Sequence, residues 1–210
     1  MFGRLRGAMQ RFWTPVATFL LARGVSPDAV TITGTVVVTA LALGLLPTGH
    51  LFLGALLIGV FALADSLDGV MARRSGRTGP WGAFLDSTLD RVSDGAVFAG
   101  ITLWFVLHHE EPYAAWGTGA ALACLVLGSV VPYARARAEA VGASASVGIA
   151  ERTDRLVLAL VPTGFVQLGL PVAVLVVVLG LLAVASLVTV VQRVATVRRQ
   201  LTTAADGAEA

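Results

Sequence analysis

The chain has 210 residues, of which 56% are hydrophobic and only 13% charged, and it carries a formal net charge of +2. Soluble domains carry about 25% charged residues, so this composition excludes an ordinary soluble enzyme and indicates one integral membrane domain. A pI near 9.3 raises nucleic acid as a partner, but the basic residues follow membrane topology instead, so no nucleic-acid partner is expected.

In chain order, residues 2–23 place Phe2, Leu5, Met9, Phe12, Val16 and Phe19 at helical spacing, with Arg4, Arg6, Gln10 and Arg11 mostly on other faces. That pattern predicts an amphipathic helix lying at the interface over residues 1–24. Residues 16–22 are too short an apolar run for a signal peptide, and no cleavage site follows. Ser26 and Pro27 then read as the N-cap and first position of a helix. Apolar stretches follow at 29–46, 51–64, 95–107, 114–132, 156–170 and 172–191. A span needs about 20 residues, so the second stretch must extend to about 73 and the third back to about 82. The expected fold is therefore all-α and integral to the membrane: six transmembrane helices after the interfacial helix. Together they form one domain over 1–200, with a disordered tail at 201–210. Residues 74–82 read as a polar turn and 141–150 as a Gly/Ala/Ser-rich loop. Cys124, in an apolar run, reads as a small hydrophobe. Trp81, Trp104, Tyr113 and Trp116 read as interfacial anchors.

All 15 basic residues are arginine. With six spans they fall at the N-terminus, in the second and fourth loops and at the C-terminus, all on one side. The opposite loops carry no arginine but hold His108, His109, Glu110 and Glu111, a polar outer loop whose spacing matches no common metal site. The positive-inside rule then places both termini in the cytoplasm of a multi-pass protein of the bacterial plasma membrane, in contact with anionic lipid.

Four carboxylates lie on that cytoplasmic side, in the pattern Asp65-x2-Asp68-Gly69-x2-Ala72-Arg73-x8-Gly82-x3-Asp86-x3-Asp90. A lone Asp at a helix end is usually solvated or a cap. Four of them at the edge of lipid are costly and need a reason. Asp65 and Asp68 are i,i+3 and Asp86 and Asp90 are i,i+4, so each pair shares a helix face. Antiparallel packing across 74–82 brings all four together, and converging anions need cations between them. Oxygen-only ligands favour Mg²⁺ or Mn²⁺ over zinc, and a pair of such ions suits phosphoryl or phosphatidyl transfer.

This spacing resembles the signature of the CDP-alcohol phosphotransferases at every constrained position. The resemblance implies attack by an acceptor hydroxyl on the β-phosphate of a CDP-linked lipid, with release of CMP. It implies two Mg²⁺ ions, one on Asp65, Asp68 and Asp86 and the other on Asp65, Asp86 and Asp90, with Asp90 also taking the hydroxyl proton. Gly69 and Gly82 let the nucleotide approach the helix backbone, and Arg73 is placed to grip a phosphate. Thr31, Thr78 and the backbone of Gly79 are candidates for contact with the cytidine, the resemblance favouring Thr31. A homodimer is implied as well. Asp94 continues the i+4 series but matches no family position, and reads as a solvated or supporting residue. Arg74, Arg77 and Arg91 read as topology anchors.

A second basic group, Arg135, Arg137, Arg152, Arg155 and Arg193, lies on the same side. Positive-inside anchoring explains part of it; a pocket for a phosphorylated acceptor explains the rest. Arg135 and Arg137 point roughly 200° apart on a helix, so at most one faces a given pocket. The stretch Arg135-Ala-Arg137-Ala-Glu139, with Glu151-Arg152-x-x-Arg155 after it, resembles the actinobacterial phosphatidylinositol-phosphate synthases. That implies CDP-diacylglycerol as donor and inositol phosphate, a phosphorylated polyol, as acceptor, gripped by Arg135, Arg155 and Arg193. The alternative within the family is a phosphatidylglycerolphosphate synthase using glycerol 3-phosphate. The alternative of another class is a metal-gated channel or transporter, against which stands the concentration of the carboxylates at one membrane face.

Overall fold

A computed structural model describes residues 2–64, 66–110, 113–149 and 152–208, with side chains described except at 2–11, 66 and 204–208. Helices make up most of the described residues, and no strand occurs among them. Among the described residues eight helices run in order: α1 (Phe2–Ala22), α2 (Pro27–Leu45), α3 (Leu51–Ala64), α4 (Ser66–Ser75), α5 (Pro80–Leu107), α6 (Ala114–Ala140), α7 (Arg152–Val166) and α8 (Val172–Ala208). An all-helical chain is what lipid demands of such a sequence, because helices satisfy their own backbone polar groups. Among the described residues, four stretches are long and apolar enough to cross a membrane: Pro27–Leu45, Leu51–Ser75, Ala114–Ala140 and Val172–Thr203.

Local sequence explains the helix ends. Ser26 caps α2, its Oγ accepting from the Ala29 N–H at 3.2 Å, and Pro27 occupies the first position, where no N–H is needed. α4 ends at Ser75, and α5 starts on Pro80 after the turn containing Thr78 and Gly79, as the polar run predicts. Helix α8 departs from expectation: it continues to Ala208, so the disordered tail expected at 201–210 is replaced by helix through 208. The reason is local. No proline interrupts the stretch, and Thr202 and Thr203 satisfy their hydroxyls on the carbonyls of Arg198 and Arg199 one turn back.

Neighbouring helices close a ring in the order α2–α5–α6–α8–α7–α3, and α3 returns to α2. Phe98, Phe105, Leu46, Ile58, Leu175 and Leu179 fill its interior. The α2–α5 crossing is close because Gly100 has no side chain; a Cβ there would lie 2.3 Å from the Ala42 carbonyl oxygen. Trp104, expected as an interfacial anchor, is instead 4% exposed and packs edge-on to Phe105. Trp81, Tyr113 and Trp116 are exposed.

Helix α1 lies outside the ring against α4. Trp13, Ala17, Leu20 and Leu21 meet Leu67, Val70 and Met71. Phe12, Val16 and Phe19, part of the apolar stripe noted in the sequence, remain exposed on another face.

Candidate active site

Helix α4 carries Asp68, Gly69 and Arg73, and the first turns of α5 carry Gly82 and Asp86. The turn between them supplies Thr78 and Gly79, and α2 contributes Thr31 from its first turns. These residues, with Arg77, line one cavity of about 240 Å³. Every described residue expected to bind the nucleotide-linked lipid therefore faces one space, as do two of the four motif carboxylates. Asp65 lies outside the described residues. Asp68 is held in place: Thr31 Oγ1 is 2.5 Å from its Oδ2, and the Gly69 N–H donates to its Oδ1. Gly79 precedes α5 without a side-chain cap, and Gly82 in the first turn of that helix lines the cavity, so the positive end of the helix borders it, a favourable place for an anion. Trp81 Nε1 donates to Asp28 Oδ2 at 3.0 Å, bracing the start of α5 against α2. Arg77, read as a topology anchor, lines this cavity as well.

A second cavity of about 340 Å³ opens between α5, α6, α7 and α8. Its wall includes Arg91, Arg135, Arg152, Arg155 and Arg193, with Ser146, Val147 and Gly148. The three arginines expected to hold the acceptor phosphate thus meet. Arg137 is not among the lining residues, as the 200° offset from Arg135 requires. Arg193 also braces the site, its Nε donating to Val147 O at 3.0 Å and its Nη1 to Val131 O. Arg135 pairs with Glu139 at 3.0 Å on the exposed side of α6. The loop fits closely against α8 at Gly148, whose φ is +149°, and a Cβ there would lie 2.5 Å from Thr189 Cγ2. Five guanidiniums around one space leave a positive field that suits a phosphate dianion. Among the described residues the buried Nε of Arg91 has no hydrogen-bond partner, which leaves a donor for a bound water or ligand.

Between the two cavities stands one face of α5. Asp90 Oδ1 accepts from Arg152 Nη2 at 2.9 Å, and Arg91 Nη2 lies 3.6 Å from Asp90 Oδ2. Asp94, one turn further on, is 6% exposed, not solvated as one reading of the sequence allowed. It takes Arg152 Nε at 3.0 Å and stands 3.7 Å from both Arg91 Nη2 and Arg155 Nη2. Arg91, read as an anchor, therefore belongs to this ion-pair network. The sequence carried a signal for it, the Asp86–Asp90–Asp94 spacing opposite Arg152-x-x-Arg155, but not the packing of α7 against it. A third, largely apolar cavity of about 310 Å³ lies beside the first. Asp68, Thr31, Ser93, Asp94 and Arg152 are at its polar end and Val38, Ile58, Phe61 and Leu156 along its length.

Among the described residues, no three His, Cys, Asp or Glu side chains are grouped tightly enough to hold a metal ion; Asp65 is not one of those residues. The donor chemistry nonetheless fits hard divalent ions. Asp68 and Asp86 present carboxylate oxygens to one cavity, with no soft ligand in its lining.

Comparison with known proteins gives concordant results. The sequence model of the CDP-alcohol phosphatidyltransferase family matches residues 24–151. The phosphatidylinositol phosphate synthase of Streptomyces avermitilis is 47% identical over 206 residues, covering 93% of this chain and 81% of that protein. The enzyme of the same name from Mycobacterium tuberculosis is 46% identical over 195 residues, covering 91% of this chain and 88% of that one. The M. tuberculosis crystal structure with CDP-DAG bound superposes with a TM-score of 0.83 at 45% identity, over 89% of this chain and 94% of that one. Its complex with manganese and citrate also gives 0.83 at 45% identity, over 88% of each chain.

Proposed function

The chain belongs to the CDP-alcohol phosphatidyltransferase family, and from that premise we propose that it transfers the phosphatidyl group of CDP-diacylglycerol to a hydroxyl of inositol phosphate. The products are phosphatidylinositol phosphate and CMP. Family membership sets aside the channel or transporter reading. One observation carries the proposal: Asp90 pairs with Arg152 on the wall of the arginine cavity and stands one helical turn from Asp86 on the wall of the other.

In this reading the first cavity takes the CDP group, with Thr31, Thr78 and Gly79 beside the cytidine. Arg73 and the uncapped start of α5 hold the pyrophosphate, and the adjoining apolar cavity takes the diacylglycerol. Divalent ions, Mg²⁺ or Mn²⁺, held by Asp65, Asp68, Asp86 and Asp90, supply charge neutralisation for the pyrophosphate and the departing CMP. The arginine cavity, through Arg135, Arg155 and Arg193, holds the acceptor phosphate and turns its hydroxyl toward Asp90. That oxygen bonds to the lipid-bearing phosphorus, the bond to the CMP oxygen breaks, and Asp90 accepts the hydroxyl proton. Such base assistance contributes about 10² to 10⁴ in rate. Asp90 must first be shared with, or released by, Arg152.

The membrane arrangement is part of the same proposal. The six helices of the ring are the spans, α5 and α7 being the two outside the four most apolar stretches. α1 lies on the lipid surface through Phe12, Val16 and Phe19. The arginine distribution supports a cytoplasmic site and cytoplasmic termini in a bacterial plasma membrane. A homodimer rests on the family resemblance alone.

The test is CMP release by the purified protein from CDP-diacylglycerol and inositol phosphate. Activity is expected with Mg²⁺ or Mn²⁺, loss after chelation and recovery on readdition. CMP release that persists undiminished after exhaustive chelation would overturn the metal assignment.

A further inference from the structure

We propose that Asp94 is a positioning residue for acceptor binding: it holds Arg91, Arg152 and Arg155 from behind the arginine cavity and so sets the geometry in which they meet a phosphate. The inference rests on the reading of that cavity as the acceptor site. Asp94 is not among the residues lining the arginine cavity; it borders the adjacent apolar cavity instead. Its carboxylate nevertheless faces three of the five guanidiniums there. Oδ1 takes Arg152 Nε at 3.0 Å, and Oδ2 lies 3.7 Å from Arg91 Nη2 and from Arg155 Nη2. Arg155 is 3% exposed and Asp94 6%, so these charges are largely withdrawn from water and depend on one another.

The division of the Arg152 fork shows what the arrangement does. Its Nε edge is committed to Asp94, while Nη2 reaches Asp90 Oδ1 at 2.9 Å and lies 3.4 Å from Ser93 Oγ. Asp94 thereby keeps Arg152 from turning wholly onto Asp90. A guanidinium released from Asp94 has a second carboxylate within reach, and moving onto it withdraws a cation from the acceptor and further neutralises the proton-accepting side chain. An amide at position 94 offers one oxygen, no charge, and an NH₂ that repels the guanidinium donors.

The experiment compares wild type, Asp94→Asn and Asp94→Glu, purified as the full chain. Separate KM values are measured for CDP-diacylglycerol and inositol phosphate, together with calorimetric binding of inositol phosphate in the absence of the CDP-lipid. For Asp94→Asn the acceptor KM is expected to rise at least tenfold and binding of inositol phosphate to weaken in parallel, by a larger factor than any change in the CDP-lipid KM. Asp94→Glu is expected to fall between the two, because the charge is kept but the carboxylate is displaced. A merely structural role lowers the amount of folded protein and leaves both KM values unchanged, which overturns the proposal. If Asp94→Asn cannot be purified, an acceptor KM for Asp94→Glu within twofold of wild type overturns it equally. Failure of wild type itself to bind or use inositol phosphate strikes the acceptor reading instead, and is visible before any variant is made.

Discussion

Asp68→Asn is expected to lower CMP release by at least about 10³-fold while the protein remains folded. The substitution keeps the shape of the side chain and an oxygen for the Thr31 hydroxyl, which stands 2.5 Å from Asp68 Oδ2. It removes the negative charge that a hard cation requires. A divalent ion contributes several kcal/mol of charge stabilisation in phosphoryl transfer, and each 1.36 kcal/mol is a factor of ten in rate. The same loss is expected for Asp86→Asn, on the facing wall of the cavity. Thermal unfolding of the variants close to wild type shows that the defect is chemical. Near-native CMP release by either would remove its carboxylate from the metal site.

Arg155→Ala carries the second large expected effect, this time on the other substrate. Arg155 is nearly buried, lines the arginine cavity and faces Asp94. A hydrogen bond to a charged group is worth about 1.5–3 kcal/mol, so the acceptor KM should rise by roughly 10- to 150-fold. The CDP-lipid KM should change little. Steady-state kinetics with each substrate varied in turn separates the two. A raised CDP-lipid KM with an unchanged acceptor KM would assign Arg155 to the nucleotide side. Arg193 is a less clean probe, because it also donates to the carbonyls of Val131 and Val147, and its loss loosens the loop as well as the cavity.

The gathering of the motif residues around one cavity was legible because its information is local. Asp68, Gly69, Arg73, Gly82 and Asp86 lie on two consecutive helices joined by a short turn, so spacing along the chain already places them face to face. Ser26-Pro27 marked the start of α2 for the same reason. The arginine cavity depends on packing between distant segments. Arg135, Arg155 and Arg193 could be named from charge and resemblance, but their meeting needs α6, α7 and α8 to close the ring beside α5. Asp94 shows the limit most clearly. Its helical phase was visible, and with it the i,i+3 neighbour Arg91, yet its burial and the approach of Arg152 and Arg155 from α7 are revealed by no periodicity in α5. Trp104 was misplaced because aromatic residues near a helix end suit an interface and a core alike. The extension of α8 was missed because a polar composition at a chain end does not by itself stop a helix.

The most direct test of the central claim, a carboxylate donor site facing an arginine acceptor site, is a comparison of acceptors. Purified protein is given CDP-diacylglycerol and a divalent metal with inositol phosphate, free inositol or glycerol 3-phosphate, and CMP release is followed together with the lipid product. The account predicts the highest kcat/KM with inositol phosphate, giving phosphatidylinositol phosphate, and a large loss with free inositol, which offers the arginines nothing to grip. Free inositol serving as the best acceptor would contradict it.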